Sequence, residues 1–463
     1  MKNKLVKRIV SALFAVTLAA GLVHPMPVEA ESYWPSGIEV ESNAAIVMEQ
    51  DTGTILYQKN ETDAHYPASI TKIMTALLAI ENSDMDEEVT FSQEAVDQSL
   101  GGTSSIARDL GEVMTMEQCL YGMMLESANE CAYAIGEHVG GGDIKVFVQM
   151  MNDRAKELGC KNTHFSNPNG LHSDDHYTCA YDMALIAQAA YRNQVFAKIT
   201  GTRAYQIPPT NRHSDITYLN NHHAMLNTYK TTEYLYDYCV GGKTGFTDEA
   251  NATLVTYAKK DGVTLICVVM DVDTAYEYVD TINLFNYCFD NFNVYHITDN
   301  NSLGNAASDK DVGAFGNNID LVQIQEGKVI LPKTADLSET EIQVEAYKDE
   351  NDPDVVGRLN YTYGGRFVGT AKLTFSNNDN GGYPFHNVPE TQGGSGVPYY
   401  RIDFITIFGV ALGIILGIAL LIFLFKKADE LSTTIHRLRL ERRNPNKGFH
   451  RIKRTRRRKR RRR

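Results

Sequence analysis

Three short clusters in this 463-residue chain combine side chains that can carry acyl-transfer chemistry. The first is Tyr66-Pro67-Ala68-Ser69-Ile70-Thr71-Lys72. On a helix, Ser69 and Lys72 share one face, with β-carbons about 5–6 Å apart. A serine hydroxyl is a weak nucleophile until a base stands beside it, and a lysine serves as that base once burial or a neighbouring cation lowers its pKa. A helix start also points backbone N–H groups at developing negative charge. The second cluster, Ser127-Ala128-Asn129, lies between two helical stretches. It offers a hydroxyl to relay a proton and a carboxamide that bonds both an amine and a substrate amide. The third, Lys243-Thr244-Gly245 behind Gly241-Gly242, supplies a cation, a hydroxyl and a bare backbone that a ligand can approach closely. Taken singly each is commonplace, as a capping serine with a surface lysine, an N-cap or a turn. All three occur here once and in order.

The elements that must position them follow from periodicity. Ala44–Met48 and Ile55–Tyr57 read as strands joined at Asp51-Thr52-Gly53. Apolar residues at helical spacing mark Ser69–Ile80, Met116–Leu125, Ala128–Val139, Asp143–Leu158 and Thr178–Tyr191, with Asp143 and Gly159 as caps of the fourth. Ala252–Lys260 and Val263–Asp271 flank Asp261-Gly262, a pair suited to a type I′ hairpin, and Ala275–Phe289 reads as a closing helix. Helices inserted between an early hairpin and late strands predict an α+β unit, an antiparallel sheet covered by helices, over about 38–295. Short alternating segments such as Leu321–Gln325, Ile342–Ala346 and Ala371–Phe375, with Gly364-Gly365 between the last two, predict a small all-β domain over 308–376. Residues 377–401, rich in Gly, Asn and Pro, read as a flexible spacer.

With these residues in view, 38–295 resembles the serine D-alanyl-D-alanine carboxypeptidases, the low-molecular-mass penicillin-binding proteins, whose motif set is S-x-x-K, S-x-N and K-T-G. The likeness extends to His164-Phe165-Ser166-Asn167-Pro168-Asn169-Gly170-Leu171, to His176-Tyr177-Thr178 with Tyr181-Asp182-Met183-Ala184, and to Gly242 through Ala250. The resemblance implies a β-lactamase/DD-peptidase-like fold followed by the β domain. It implies peptidoglycan stem peptides as substrate, β-lactams as covalent inhibitors, and no cofactor or metal. Carried over, Ser69 attacks the penultimate D-Ala carbonyl and Lys72 accepts its proton. Ser127 passes a proton to the leaving D-Ala, Asn129 orients the substrate, and Lys243, Thr244 and Gly245 receive its carboxylate end. The backbone N–H groups of Ser69 and Phe246 form the oxyanion site. Ala128 stands where β-lactamases carry Asp, and no Glu-x-x-Leu-Asn element is present, which disfavours antibiotic hydrolysis. A β-lactamase, and a membrane receptor that binds wall peptides or β-lactams with little turnover, stay open as alternatives.

Composition bears on location. Lys2, Lys4, Lys7 and Arg8 precede an apolar run, so residues 1–30 read as a secretory signal. Residues 402–425 would form a helix about 36 Å long, enough to span a bilayer. Residues 426–463 hold 18 Lys/Arg against 3 acidic residues, which places that tail in the cytoplasm and suits contact with anionic lipids. The expectation is a single-pass protein of the cell membrane with its catalytic unit outside. Residues 31–425 carry a formal charge of −30, which argues against nucleic acid as a partner of the exterior part. The seven cysteines form no C-x-x-C pair and read as mostly free, with Cys119, Cys131 and Cys267 in apolar runs. His164, His172 and His176 read as structural rather than metal-binding, and Asp182 as a capping or network residue.

Overall fold

In a computed structural model of the chain, residues 33–298, 322–346 and 352–375 are described. The signal segment, the spacer, the 402–425 helix and the basic tail expected above lie outside them. Among the described residues no helix is long and apolar enough to cross a membrane.

The first unit contains β1 (Ala44–Glu49), β2 (Ile55–Lys59), β3 (Glu88–Thr90), β4 (Val113–Thr115), β5 (Ala204–Ile207), β6 (Thr217–Asn220), β7 (Cys239–Thr247), β8 (Asn251–Lys260) and β9 (Val263–Val272). Five of these form an antiparallel sheet in the order β2-β1-β9-β8-β7, and β3–β4 and β5–β6 are small separate hairpins. The placement of β1 explains why its sequence is apolar from Ala44 to Met48. Ala44, Ile46 and Met48 pack under the helices of one face, while Ala45 and Val47 pack with Leu284 and Phe285 of the helix Tyr276–Asn291 on the other. A strand covered on both faces gains from apolar residues at every position. Asp261 and Gly262 turn β8 into β9 with φ of 51° and 82°, as a type I′ turn requires. Since β7 is an edge strand, one side of its backbone is left for something other than a neighbouring strand.

The helices over that sheet agree with the periodic segments and differ at their starts. Ala68–Thr71 forms a 3-10 turn and the α-helix begins only at Lys72. The contact with β8 accompanies this: Pro67 O accepts from Thr253 Oγ1 at 2.9 Å, and Ala68 has φ 50°. The helix expected from Thr178 begins at Ala180 with Cys179 as N-cap, because the backbones of Tyr177 and Thr178 bridge to His164 and His65.

The second unit is a five-stranded antiparallel sheet in the order β10-β11-β14-β13-β12. Its strands are β10 (Phe292–Ile297), β11 (Val322–Pro332), β12 (Glu341–Ala346), β13 (Val355–Tyr363) and β14 (Arg366–Phe375). It therefore starts at Phe292, inside the interval the sequence assigned to the catalytic unit. The helix ending at Asn291 runs straight into β10, and Asn291 O accepts from Lys333 N at 2.8 Å. Its core contains Val329, Leu331, Leu359, Tyr361 and Leu373. Lys328 of β11 bonds Glu49 Oε1 at 3.2 Å and also reaches Asp51 Oδ2, tying this sheet to the β1–β2 turn.

Candidate active site

The three clusters converge from different elements. Ser69 sits in the 3-10 turn, and Lys72, one turn on, is completely buried. Lys72 Nζ donates to Ser69 Oγ at 2.8 Å, to Asn129 Oδ1 at 2.7 Å and to the backbone carbonyl of Asn169. Burial, and after it the positive charge of Lys243, hold the Lys72 pKa well below that of an ordinary lysine, with buried Glu130 opposing them. A buried amine with a low pKa, hydrogen-bonded to a serine hydroxyl, is equipped to take that proton.

Ser127 lies in the turn between the helices Met116–Leu125 and Asn129–Val139, with its backbone in the left-handed region at φ 61°. For a residue with a β-carbon this costs of order 1–3 kcal/mol, offset by the surrounding structure. Lys243 Nζ reaches Ser127 Oγ at 3.2 Å and the carbonyl of Thr244 at 2.8 Å. Burial, then the charge of Lys230, lowers the Lys243 pKa to about 7. The site thus holds two lysines, one against each serine.

Gly245 and Gly170 are glycines for steric reasons. A β-carbon on Gly245 would stand 2.3 Å from Thr253 Oγ1 and 2.9 Å from Ser69 N, so β7 presses its bare backbone against the nucleophile turn. On Gly170, at φ +82°, it would stand 1.9 Å from Ala68 O. Phe246 follows Gly245 and is 58% exposed. Ser69, Ser127, Asn129, Thr244, Gly245 and Phe246 line one cleft of about 830 Å³, and Lys72 and Lys243 reach it from behind through their contacts with the two serines.

Beyond the structural role expected of His164, the 164–171 segment contributes directly to the site. Its Asn169 carbonyl is a third acceptor for Lys72, and the Pro168 carbonyl accepts from Thr75 Oγ1 at 2.6 Å. Behind it, His176 is buried and neutral, its pKa lowered to about 3 by burial. Its Nδ1 accepts from Ser166 N at 3.0 Å, which makes Nε2–H the donor to Thr71 Oγ1 at 2.8 Å. His172 lines the cleft, and the His164 Nδ1 bonds the Asp175 carbonyl. Asp182 Oδ2 accepts from Lys161 N, Asn162 N and Thr163 Oγ1, a network role. His222 and Lys230 also line the cleft and lie in no motif. Only their three-dimensional proximity identifies them. All seven cysteines are free thiols.

A family model described as D-alanyl-D-alanine carboxypeptidase matches residues 29–274. A D-alanyl-D-alanine carboxypeptidase of Bacillus subtilis, DacF, is 38% identical over 242 residues, covering 51% of this chain and 59% of its own length. The chain therefore spans somewhat over half of that relative. A D-alanyl-D-alanine carboxypeptidase of a Streptomyces species is 32% identical over 254 residues, covering 52% of this chain and 85% of its own. The crystal structure of a Streptomyces DD-transpeptidase superposes with a TM-score of 0.51 at 28% identity, covering 55% of this chain and 100% of that one.

Proposed function

The chain belongs to the D-alanyl-D-alanine carboxypeptidase family, and from that premise we propose that it hydrolyses the terminal D-Ala-D-Ala bond of peptidoglycan stem peptides through a Ser69 acyl-enzyme that β-lactams also form. The observation that carries this reading is the contact of buried Lys72 Nζ with Ser69 Oγ at 2.8 Å.

Neutral Lys72 takes the Ser69 proton as Oγ bonds to the penultimate D-Ala carbonyl carbon. The oxyanion lies between the N–H groups of Ser69 and Phe246, where one such donor is typically worth about 3–4 kcal/mol. Asn129 bonds the substrate amide. Lys243 and Thr244 bind the terminal carboxylate, with Gly245 leaving room for it, and Ser127 hands a proton to the departing nitrogen. Water then attacks the ester, with Lys72 again as base. The apolar 402–425 segment, the N-terminal signal pattern and the basic tail support a membrane-anchored protein working outside the cytoplasm. Its tail would lie on the inner side, against anionic lipid.

D-Alanine release from a diacyl-Lys-D-Ala-D-Ala peptide by the full chain, beside Ser69→Ala, tests the reaction. Release that vanishes in Ser69→Ala supports it, and equal release by both proteins refutes it.

A further inference from the structure

The turn that carries Ser127 is held from outside its motif. Its left-handed backbone, at φ 61°, is one a non-glycine residue keeps only when its neighbours impose it. Immediately before it, Glu126 ends the helix Met116–Leu125. The Glu126 carboxylate accepts from the backbone N–H of Asn220 at 2.6 Å through Oε1, and Oε2 stands 2.6 Å from Nε2 of His222. The His222 backbone N–H closes the loop by donating to the Leu125 carbonyl at 3.2 Å. Immediately after it, Asn129 N donates to the Ser104 carbonyl at 2.9 Å. The Ser127 turn is thus pinned on both sides, by a carboxylate on one and a backbone bond on the other. Glu126 is not a lining residue of the cleft; it borders it through Ser127, its neighbour in the chain, and through His222, which it bonds.

We propose that Glu126 is a positioning residue for leaving-group protonation: clamped by Asn220 and His222, it holds Ser127 where its hydroxyl reaches the departing nitrogen. This rests on the role given to Ser127 above. In that step the C–N bond breaks with its electron pair on nitrogen, and nitrogen takes the Ser127 proton. Lys243 Nζ, 3.2 Å from Ser127 Oγ, returns a proton to it, and the one Lys72 took from Ser69 replaces that in turn, so the net transfer is of the Ser69 proton to the leaving amine. An amine leaves only when protonated. A thiolate needs no proton, so a misplaced Ser127 harms one substrate and spares the other.

The experiment compares kcat/KM for the diacyl-Lys-D-Ala-D-Ala peptide with that for its thiolester, in which thioglycolate replaces the terminal D-alanine and keeps the carboxylate. The full chain, Ser127→Ala, Glu126→Ala and His222→Phe are measured side by side. The phenyl ring keeps the stacking of His222 on Tyr229 and removes the nitrogen that faces Glu126. Expected is a fall of about tenfold or more for the peptide in Glu126→Ala and His222→Phe, smaller than that of Ser127→Ala, with the thiolester within about twofold in Glu126→Ala. Thiolester turnover also shows that the variants are folded. Equal losses on both substrates in Glu126→Ala, or no loss on either, overturn the role of Glu126 if Ser127→Ala is selective. A Ser127→Ala protein that loses both substrates equally overturns the Ser127 role and this inference with it. Peptide turnover by Ser69→Ala would instead refute the acyl-enzyme reading itself.

Discussion

Lys72 Nζ lies 2.8 Å from Ser69 Oγ and 2.7 Å from Asn129 Oδ1, so one buried amine joins the first two motifs although 57 residues separate it from Asn129. Lys72→Met keeps the length of the side chain and removes the base. We expect kcat/KM for the peptide to fall by about 10²–10⁴-fold, with the melting temperature held or raised because an amine buried at a cost has gone. Lys72→Arg, which stays protonated, is expected to fall as far. Steady-state kinetics beside thermal melts check both.

The two lysines also set a pH dependence. In the proposed mechanism Lys72 works when neutral, so activity is expected to rise with pH as it loses its proton. Burial and the Lys243 charge bring that limb well below the ordinary lysine range. In the same mechanism Lys243 works when cationic, and its pKa of about 7 is expected to make kcat/KM fall as pH rises through that value. A bound carboxylate favours the ammonium, so the same limb in kcat lies at higher pH. Lys243→Arg, whose guanidinium does not titrate in this range, removes the limb near pH 7. A kcat/KM profile between about pH 5 and 10 checks the direction of each limb.

Gly170→Ala would push a β-carbon into Ala68 O and impose a left-handed conformation on alanine. We expect a stability loss of about 2–4 kcal/mol, together with slower penicillin labelling because the strain falls on the turn that bears Ser69. Urea melts and labelling rates of the same preparation measure the two effects.

Lys328→Ala removes the cation that meets buried Glu49 and the Asp51 side chain. Glu49 keeps donors from Asp51 N, Thr52 N and Thr52 Oγ1, so the cost is expected to stay near 1–3 kcal/mol. Turnover of the soluble peptide is expected to stay within about twofold, since the contact is not part of the cleft.

What the sequence made legible was local. The Ser69–Lys72 spacing, the Asp261-Gly262 hairpin and the Ala44–Met48 strand follow from residues next to one another in the chain. What it hid depends on distant partners. The Asn169 carbonyl, the left-handed Ser127 and the cleft positions of His222 and Lys230 exist only once three segments meet. The β domain shows the same division. Its alternating fragments were readable, but β13 and the full length of β11 and β14 were not, because Gly357, Gly369 and charged residues interrupt the pattern that pairing restores. The start of that sheet at Phe292 was hidden by the helix that runs into it.

The central claim is that Ser69 becomes acylated. Peptide mapping by mass spectrometry after incubation of the full chain with benzylpenicillin measures this directly. The account predicts one penicilloyl adduct, on the peptide containing Ser69, and none in Ser69→Ala. An adduct on any other residue, or full labelling of Ser69→Ala, would contradict it.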